Sequence, residues 1–426
     1  MNFATTLKSL GPRYTALWVG QTISQFGTFV AFLTLPLLVL HIQEAAGNEN
    51  TLDFALTYSL ETAPTLLVGL LGGVLLDRWH LRPVMIATDL ARASAFFYLA
   101  ATVGDYGIAT VFAMAFLVGS MTTMFDSALF AMIPSLVPDE KLSDGNGLVA
   151  ASQQANFALG PLAAGLFAAV TGGPELGLFV NGLTFVLSAI SLHWVGRVAH
   201  HRALGEDRSP FLEEAANGLR YIWSEPRLRI TTLAAAIPNL VMGFIEATFV
   251  VLALRIFGTD SRTSMGVILF FMGVGGVIGA LIASRIAMAW GVGKTMIAGM
   301  GISGVGMAVW MFTEFGFLNL VLSVTWMIGL SLINVPLATI RQHYSASAIL
   351  GRVISASRAI GWATLPIGAL VGGWLGNSAD TYPIVARTFP LLLIGTTIWL
   401  LTTVIRRDTF GPMPRTAADT PLPTAE

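Results

Sequence analysis

The chain has 426 residues, of which 54% are hydrophobic and 11% charged, with a net charge of -1 and no cysteine. Soluble domains carry about 25% charged residues, so too little charge is present to coat a water-facing surface, which excludes a soluble enzyme. The pI near 6.6 excludes a polyanion-binding surface, and the missing cysteines exclude thiol catalysis, iron–sulfur clusters, cysteine zinc sites and a disulfide scaffold.

A helix crosses about 30 Å of hydrocarbon with roughly 20 apolar residues. Twelve such stretches run along the sequence, at 14–41, 52–76, 83–103, 107–134, 147–171, 174–196, 229–256, 264–288, 294–313, 316–343, 350–376 and 382–405. The first is long and lacks a small-residue cleavage site, so it reads as a span and not as a leader. Twelve spans alternate sides, which assigns each basic residue once one terminus is placed. With both termini cytoplasmic, 18 of the 23 Lys and Arg fall on the inner side, among them Arg78, Arg82, Lys141, Arg227 and Arg341. Only Arg255, Arg262 and Arg387 fall outside, and Arg92 and Arg358 lie within spans. The reverse orientation violates the positive-inside rule almost everywhere.

The sequence divides into a six-helix bundle over 1–196, an inner linker over 197–228, a second bundle over 229–407 and a tail over 408–426. The linker segment "PFLEEAANGLRYIWSEPRLR" combines Leu219, Ile222 and Trp223 with charge. It reads as an amphipathic helix on the inner membrane face or as a plain tether. The proline-containing tail reads as disordered.

The two halves echo each other. "LLGGVLLDRWHLRPVMIATDL" after span two resembles "GGVIGALIASRIAMAWGVGKTMIAGM" after span eight, and Pro161 in "FALGPLAAGLF" corresponds to Pro366 in "WATLPIGALVGGWL". Both correspondences share an offset near 205 residues. Two six-helix halves in parallel repeat, joined by an inner linker, follow a transporter plan with the substrate site between the halves near the midplane.

The loop "GGVLLDRWHLRP" is similar to the signature of the major facilitator superfamily between helices two and three. Gly73, Asp77, Arg78 and Arg82 match it, while Pro83 stands where a second basic residue is usual. "IPSLVPDEKLSDGNGL", "ANGLRYIWSEPRLR" and "LGRVISASRAIGWATLPIGALVGGWL" resemble the macrolide-efflux and enterobactin-exporter branch. "ALGPLAAG" is similar to the antiporter motif of helix five; it keeps Gly160, Pro161 and Gly165, and Asn156 and Ala164 replace two of its glycines. The resemblance implies an all-α integral membrane protein of twelve helices in two pseudo-symmetric six-helix bundles. It also implies gating roles for Gly73, Asp77, Arg78, Arg82, Gly160, Pro161 and Gly165. Asp77 would face the electropositive start of helix eleven and latch the inner side, with Arg78 and Arg82 bridging to acids such as Asp139 or Glu140.

Charged groups inside spans are costly and mark function by default. Glu61 lies roughly 24 Å from the inner end of span two, Asp126 roughly 12 Å from that of span four, and Glu246 roughly 25 Å into span seven. They are the candidate proton-coupling acids. Glu246 leads, because span seven lines the cavity in the superfamily and carries Pro238, Asn239 and Gly243 just before it; pairing with Arg255 at the outer mouth is its other reading. Asp89 and Arg92, at i and i+3 in span three, read as a structural pair. Gln21, Gln25, Asn239, Asn334 and Arg358 are the candidate cavity residues; helix–helix hydrogen bonds are the other reading of the amides. Arg358 calls for a carboxylate from Asp77, Asp89 or Asp126, or for a substrate anion.

No HExxH or Walker motif occurs, and "GVGGVIG" lies in a span, so no metal, cofactor or enzyme activity is expected. The expectation is a proton-coupled exporter of amphiphilic small molecules, working by rocker-switch alternating access. A dedicated siderophore or metabolite exporter, an uptake symporter and a non-transporting receptor are the alternatives. The expected partners are substrate, protons and lipid, with no nucleic acid. The expected state is a monomer in a bacterial-type inner membrane with both termini cytoplasmic.

Overall fold

A computed structural model describes residues 3–47, 49–65, 80–103, 105–138, 141–196, 211–345, 349–377 and 381–408. All regular structure among them is helical. In chain order the α-helices are α1 (Phe3–Leu10), α2 (Pro12–Ala46), α3 (Thr51–Thr62), α4 (Leu81–Ala101), α5 (Ile108–Met132), α6 (Leu142–Thr171), α7 (Glu175–Val195), α8 (Phe211–Ser224) and α9 (Pro226–Arg255). They continue as α10 (Arg262–Trp290), α11 (Val292–Trp310), α12 (Phe317–His343), α13 (Leu350–Gly376), α14 (Thr381–Thr388) and α15 (Leu391–Leu401).

Eleven helical stretches among the described residues are long and apolar enough to cross a membrane. Of the twelve predicted spans, the second is described only in its first part, where Asn50 caps α3 by accepting a hydrogen bond from the Leu52 N–H at 3.2 Å. Residues 66–79, with Gly73, Asp77 and Arg78, lie outside the described residues. The last predicted span is divided into α14 and α15, with Pro390 as the N-cap of the second piece. Proline has no N–H to continue a helical ladder, so the break falls where the sequence places it. Span one instead keeps Pro36 inside a 35-residue helix, where the length of apolar sequence outweighs one lost hydrogen bond.

The chain forms two compact units. The first comprises 1–205 with 247–254 and 258–273; the second comprises 206–246, 255–257 and 274–426. In the first, α2 packs on α6 and α7, α4 on α5 and α7, and α3 on α5. A core of Tyr14, Leu17, Met85, Phe125, Leu129, Met132 and Leu192 fills one end. There the Tyr14 hydroxyl donates to the Gly145 carbonyl at 2.6 Å and the Lys141 ammonium to the Ser9 carbonyl at 2.9 Å. In the second unit α11 packs on α12 and α15, and α8 packs on α13. Gly243 of α9 sits against the Leu365 carbonyl of α13, and Gly368 of α13 against the Leu240 carbonyl, so a methyl at either would strike backbone. Both crossings require glycine.

The repeat is visible in side-chain contacts. Ser152 of α6 accepts the Trp18 indole N–H of α2 at 2.9 Å. Its counterpart 205 residues on, Ser357 of α13, meets Thr232 of α9 at 3.1 Å. One turn further, Asn156 of α6 reaches across to the Thr22 carbonyl of α2 at 2.8 Å. At the equivalent place the amide comes from the other helix: Asn239 of α9 stands against Gly361 of α13. Each unit thus joins its first and fifth spans by the same polar layer.

The linker helix α8 buries Ile222 with Leu228 and Val353, and the Tyr221 hydroxyl donates to the Tyr344 carbonyl at 3.2 Å. Leu219 and Trp223 remain exposed. The helix therefore docks one face on the second unit. Residues 197–210 and the tail from 409 lie outside the described residues. Asp408 is described and buried: it accepts hydrogen bonds from Arg227 at 2.8 Å and from Tyr344 at 3.2 Å. Burial and this carboxylate push the Tyr344 phenol upward in pKa, and neighbouring Arg227 opposes the shift.

Candidate functional site

Three constellations stand out, and two of them lie in the first unit. The first is a seam between α6 and the start of α10. A Cβ on Gly165 would lie 2.6 Å from the Arg262 carbonyl, one on Gly266 would lie 2.7 Å from the Pro161 carbonyl, and one on Gly273 would strike the Ala158 Cα. All three neighbours are backbone, which cannot swing aside. The two helices touch main chain to main chain over three turns, and the Arg262 guanidinium closes the end of the seam on the Gly172 carbonyl. Gly160 faces the opposite side of α6, against Phe29 and Val30 of α2. Gly160, Pro161 and Gly165 thus wedge α6 between α2 and α10. Pro161 leaves a backbone acceptor without an N–H partner in its own helix.

The second constellation is a buried charge cluster. Arg92 of α4 is 2% exposed and donates to the Asp89 carboxylate at 2.5 Å. Its guanidinium lies 4.2 Å from the Phe185 ring centroid and 4.5 Å from that of Phe125, a stacked cation between two aromatic faces. Thr122 of α5 accepts another Arg92 N–H at 3.3 Å, and Ser188 of α7 stands at the Asp89 carboxylate. Asp126, one turn beyond Thr122 on α5, acts coulombically on the same guanidinium and is itself exposed. One cation therefore answers two carboxylates: one sealed, the other open to the outside of the helix packing. The i, i+3 spacing predicts the Asp89–Arg92 pair. Asp126 joins it because α5 lies along α4, a register that no local pattern reveals.

Glu246 is half-buried in α9, two turns after Pro238. Its alternative partner Arg255 donates to the Gly376 carbonyl at 2.8 Å. Glu61 is half-buried near the end of α3, its backbone carbonyl pressed on Gly119 of α5. Gln21 is buried and Gln25 half-buried on α2, and the side-chain oxygen of each lacks a hydrogen-bond donor among the described residues. Arg82, expected to reach acids of a neighbouring loop, caps α7: its Nε donates to the Leu192 carbonyl at 2.8 Å, and a terminal nitrogen meets His193 at 3.3 Å. A cation at a helix C-terminus satisfies orphan carbonyls and the dipole together. Asp139 and Glu140 lie outside the described residues.

The third constellation is in the second unit. Arg358 of α13 stacks on Trp362 at 4.5 Å and is exposed. Arg341 of α12 feels its charge, with a buried Nε that has no hydrogen-bond partner among the described residues. Asn334 is exposed on the same helix. Arg341 counts as one of many inner anchors by sequence; that it feels the charge of Arg358 emerges only from the fold. Among the described residues no group of acids and histidines is arranged to hold a metal ion.

The chain is 27% identical over 372 residues to the uncharacterized MFS-type transporter y4rN of Sinorhizobium fredii, covering 85% of this chain and 88% of that one. It is 24% identical over 403 residues to the multidrug efflux pump Tap of Mycolicibacterium fortuitum, covering 90% and 94%. With macrolide efflux protein A of Streptococcus pyogenes it shares 25% identity over 276 residues, covering 63% and 65%. Among solved structures, the nucleoside transporter NupG superposes with a TM-score of 0.71 at 10% identity, covering 90% of this chain and 98% of that one. That likeness shows the fold: an all-α membrane transporter architecture. Residues 17–361 match the Major Facilitator Superfamily, and the chain belongs to that family.

Proposed function

We propose that this transporter is a proton-coupled secondary active exporter of amphiphilic small molecules, working by alternating access. The observation that carries the coupling is the three-group cluster on α4 and α5. Asp89 and Arg92 neutralise each other in the dry interior, and Asp126 leaves the cluster one negative charge in excess. A proton on the exposed Asp126 carboxylate removes that excess, and its loss restores it. Asp126 thus has what a coupling acid needs: access, and an electrostatic consequence of titration felt inside the bundle. Glu246 and Glu61 complete the candidate coupling set, and the α6–α10 seam is the gate element. One proton provides about 2.3 kcal/mol per 100 mV and about 1.36 kcal/mol per pH unit, sufficient for substantial export. The efflux-type relatives support the direction of transport. The proposed membrane is of the bacterial plasma-membrane type, with both termini cytoplasmic and a monomer as the working unit.

The test is a transport screen in a host lacking its own pumps, with lipophilic drugs and catecholate siderophores as the panel. Lower accumulation of at least one lipophilic drug, abolished by an uncoupler, is the expected result. Lower accumulation of siderophores alone would replace this reading with the dedicated exporter.

A further inference from the structure

In the second unit, Arg341 of α12 and Arg358 of α13 feel each other's charge, and neither has an ion-pair partner among the described residues. Arg358 stands eight residues into α13, and its guanidinium lies on the Trp362 ring at 4.5 Å. Arg341 lies in the last turn of α12 within coulombic reach of Arg358. Its Nε–H is buried and has no hydrogen-bond partner among the described residues. The ion pairs found among the described residues involve Arg92 and Arg227, and neither Arg341 nor Arg358 has one there. Asn334 lies seven residues before Arg341, on the same face of α12.

Two like charges held together in or near hydrocarbon repel and desolvate one another. The dipole at the end of α12 offsets part of the Arg341 charge; Arg358, two turns inside its helix, lies beyond that help. A guanidinium fork matches carboxylate, sulfonate and phosphate oxygens. Trp362 is 40% exposed, so its ring offers a flat apolar surface beside the two forks. Asn334 adds an amide that donates and accepts.

We propose that Arg341, Arg358, Trp362 and Asn334 form a binding site for an aromatic organic anion, the anionic group held between the two guanidinium groups and the ring against Trp362. This names a substrate class for the exporter and rests on that reading for its transport role. An anionic lipid headgroup offers the same oxygen chemistry, and the experiment separates the two.

Binding to the purified full chain is measured by titration calorimetry with 1-naphthoate and its neutral isostere 1-naphthamide. The expected result is naphthoate bound at least about tenfold more tightly, about 1.4 kcal/mol. Arg358→Gln and Arg341→Gln should each erase that preference, and Arg358→Lys should retain part of it. A monodisperse elution profile and a melting temperature close to that of the unaltered protein show that the variants fold. Equal affinity of the two probes for the unaltered protein, or a preference surviving both Gln variants, would overturn the site. The titration is repeated in nanodiscs of phosphatidylcholine with and without phosphatidylglycerol. A preference kept in both supports an organic-anion site; one lost on adding phosphatidylglycerol assigns the arginines to lipid and overturns it. The titration uses no gradient, so a failure of proton-driven export leaves this result readable, and the converse holds.

Discussion

At the scale of single residues, the Asp89–Arg92 pair illustrates how a buried charge is tolerated. Arg92 combines a 2.5 Å ion pair, a threonine acceptor and two aromatic faces. Removing one partner of such a pair costs about 3–5 kcal/mol, because the other is left charged and unsolvated. Arg92→Met should therefore lower the melting temperature in detergent sharply, and adding Asp89→Asn should recover a large part of the loss. Equal stability of the single variant and the parent would mean that the pair carries no such strain. Asp126→Asn removes only the exposed member and should leave stability within about 0.5 kcal/mol, as is usual for surface substitutions. Its expected effect is on transport and not on stability. The i, i+3 pair is legible in a linear sequence because helical geometry alone brings it together. Asp126 and Arg341 are not, since what defines each is a neighbour on another helix, 34 residues away from Arg92 in the first case and 17 from Arg358 in the second.

Among elements, glycine decides how closely helices approach. The α6–α10 seam places backbone against three would-be Cβ positions, at Gly165, Gly266 and Gly273. Gly266→Val should therefore overpack the seam, a change that costs about 1–3 kcal/mol, and, if the seam gates, reduce transport at least about tenfold, which corresponds to about 1.36 kcal/mol. Expression and melting temperature should fall less than for Arg92→Met; transport at the parental rate would show that the seam does not gate. The repeat permits a paired test. Ser152→Ala and Ser357→Ala each delete a hydroxyl from the same polar layer, and each should cost about 0.5–1.5 kcal/mol by thermal unfolding. A large cost in one half and none in the other would contradict equivalent roles. Here much is readable from sequence: the Pro161–Pro366 correspondence at offset 205 holds also for Ser152 and Ser357. The exchange of Asn156 for Asn239 across the layer is not, because the amide moves to the partner helix while the contact is kept. Arg82 is a similar case: its basic character and place at a helix end are plain from sequence, but the carbonyls it caps belong to α7.

For the whole molecule, apolar length carries most of the architecture. Stretches of about 20 apolar residues have one stable solution in a bilayer, a helix with its backbone bonds satisfied internally; among the described residues eleven helical stretches of that kind are found, the last one broken at Pro390. The division into units is less legible. Residues 247–254 and 258–273 cluster with the first unit, although they follow the linker that separates the halves in sequence. For 258–273 the seam accounts for it: Gly266 and Gly273 pack on the α6 backbone at that end of α10. A transporter that alternates its access must be able to break such a seam, and small residues without interlocking side chains make that possible at low cost.

Proton coupling through the α4–α5 cluster is the central claim, and it is tested most directly in everted vesicles carrying a preformed ΔpH. Adding a substrate identified by the transport screen should dissipate the gradient through the unaltered protein. Asp126→Asn should abolish that dissipation while substrate still binds and exchanges down its own gradient. Dissipation by Asp126→Asn at the rate of the unaltered protein would contradict the assignment.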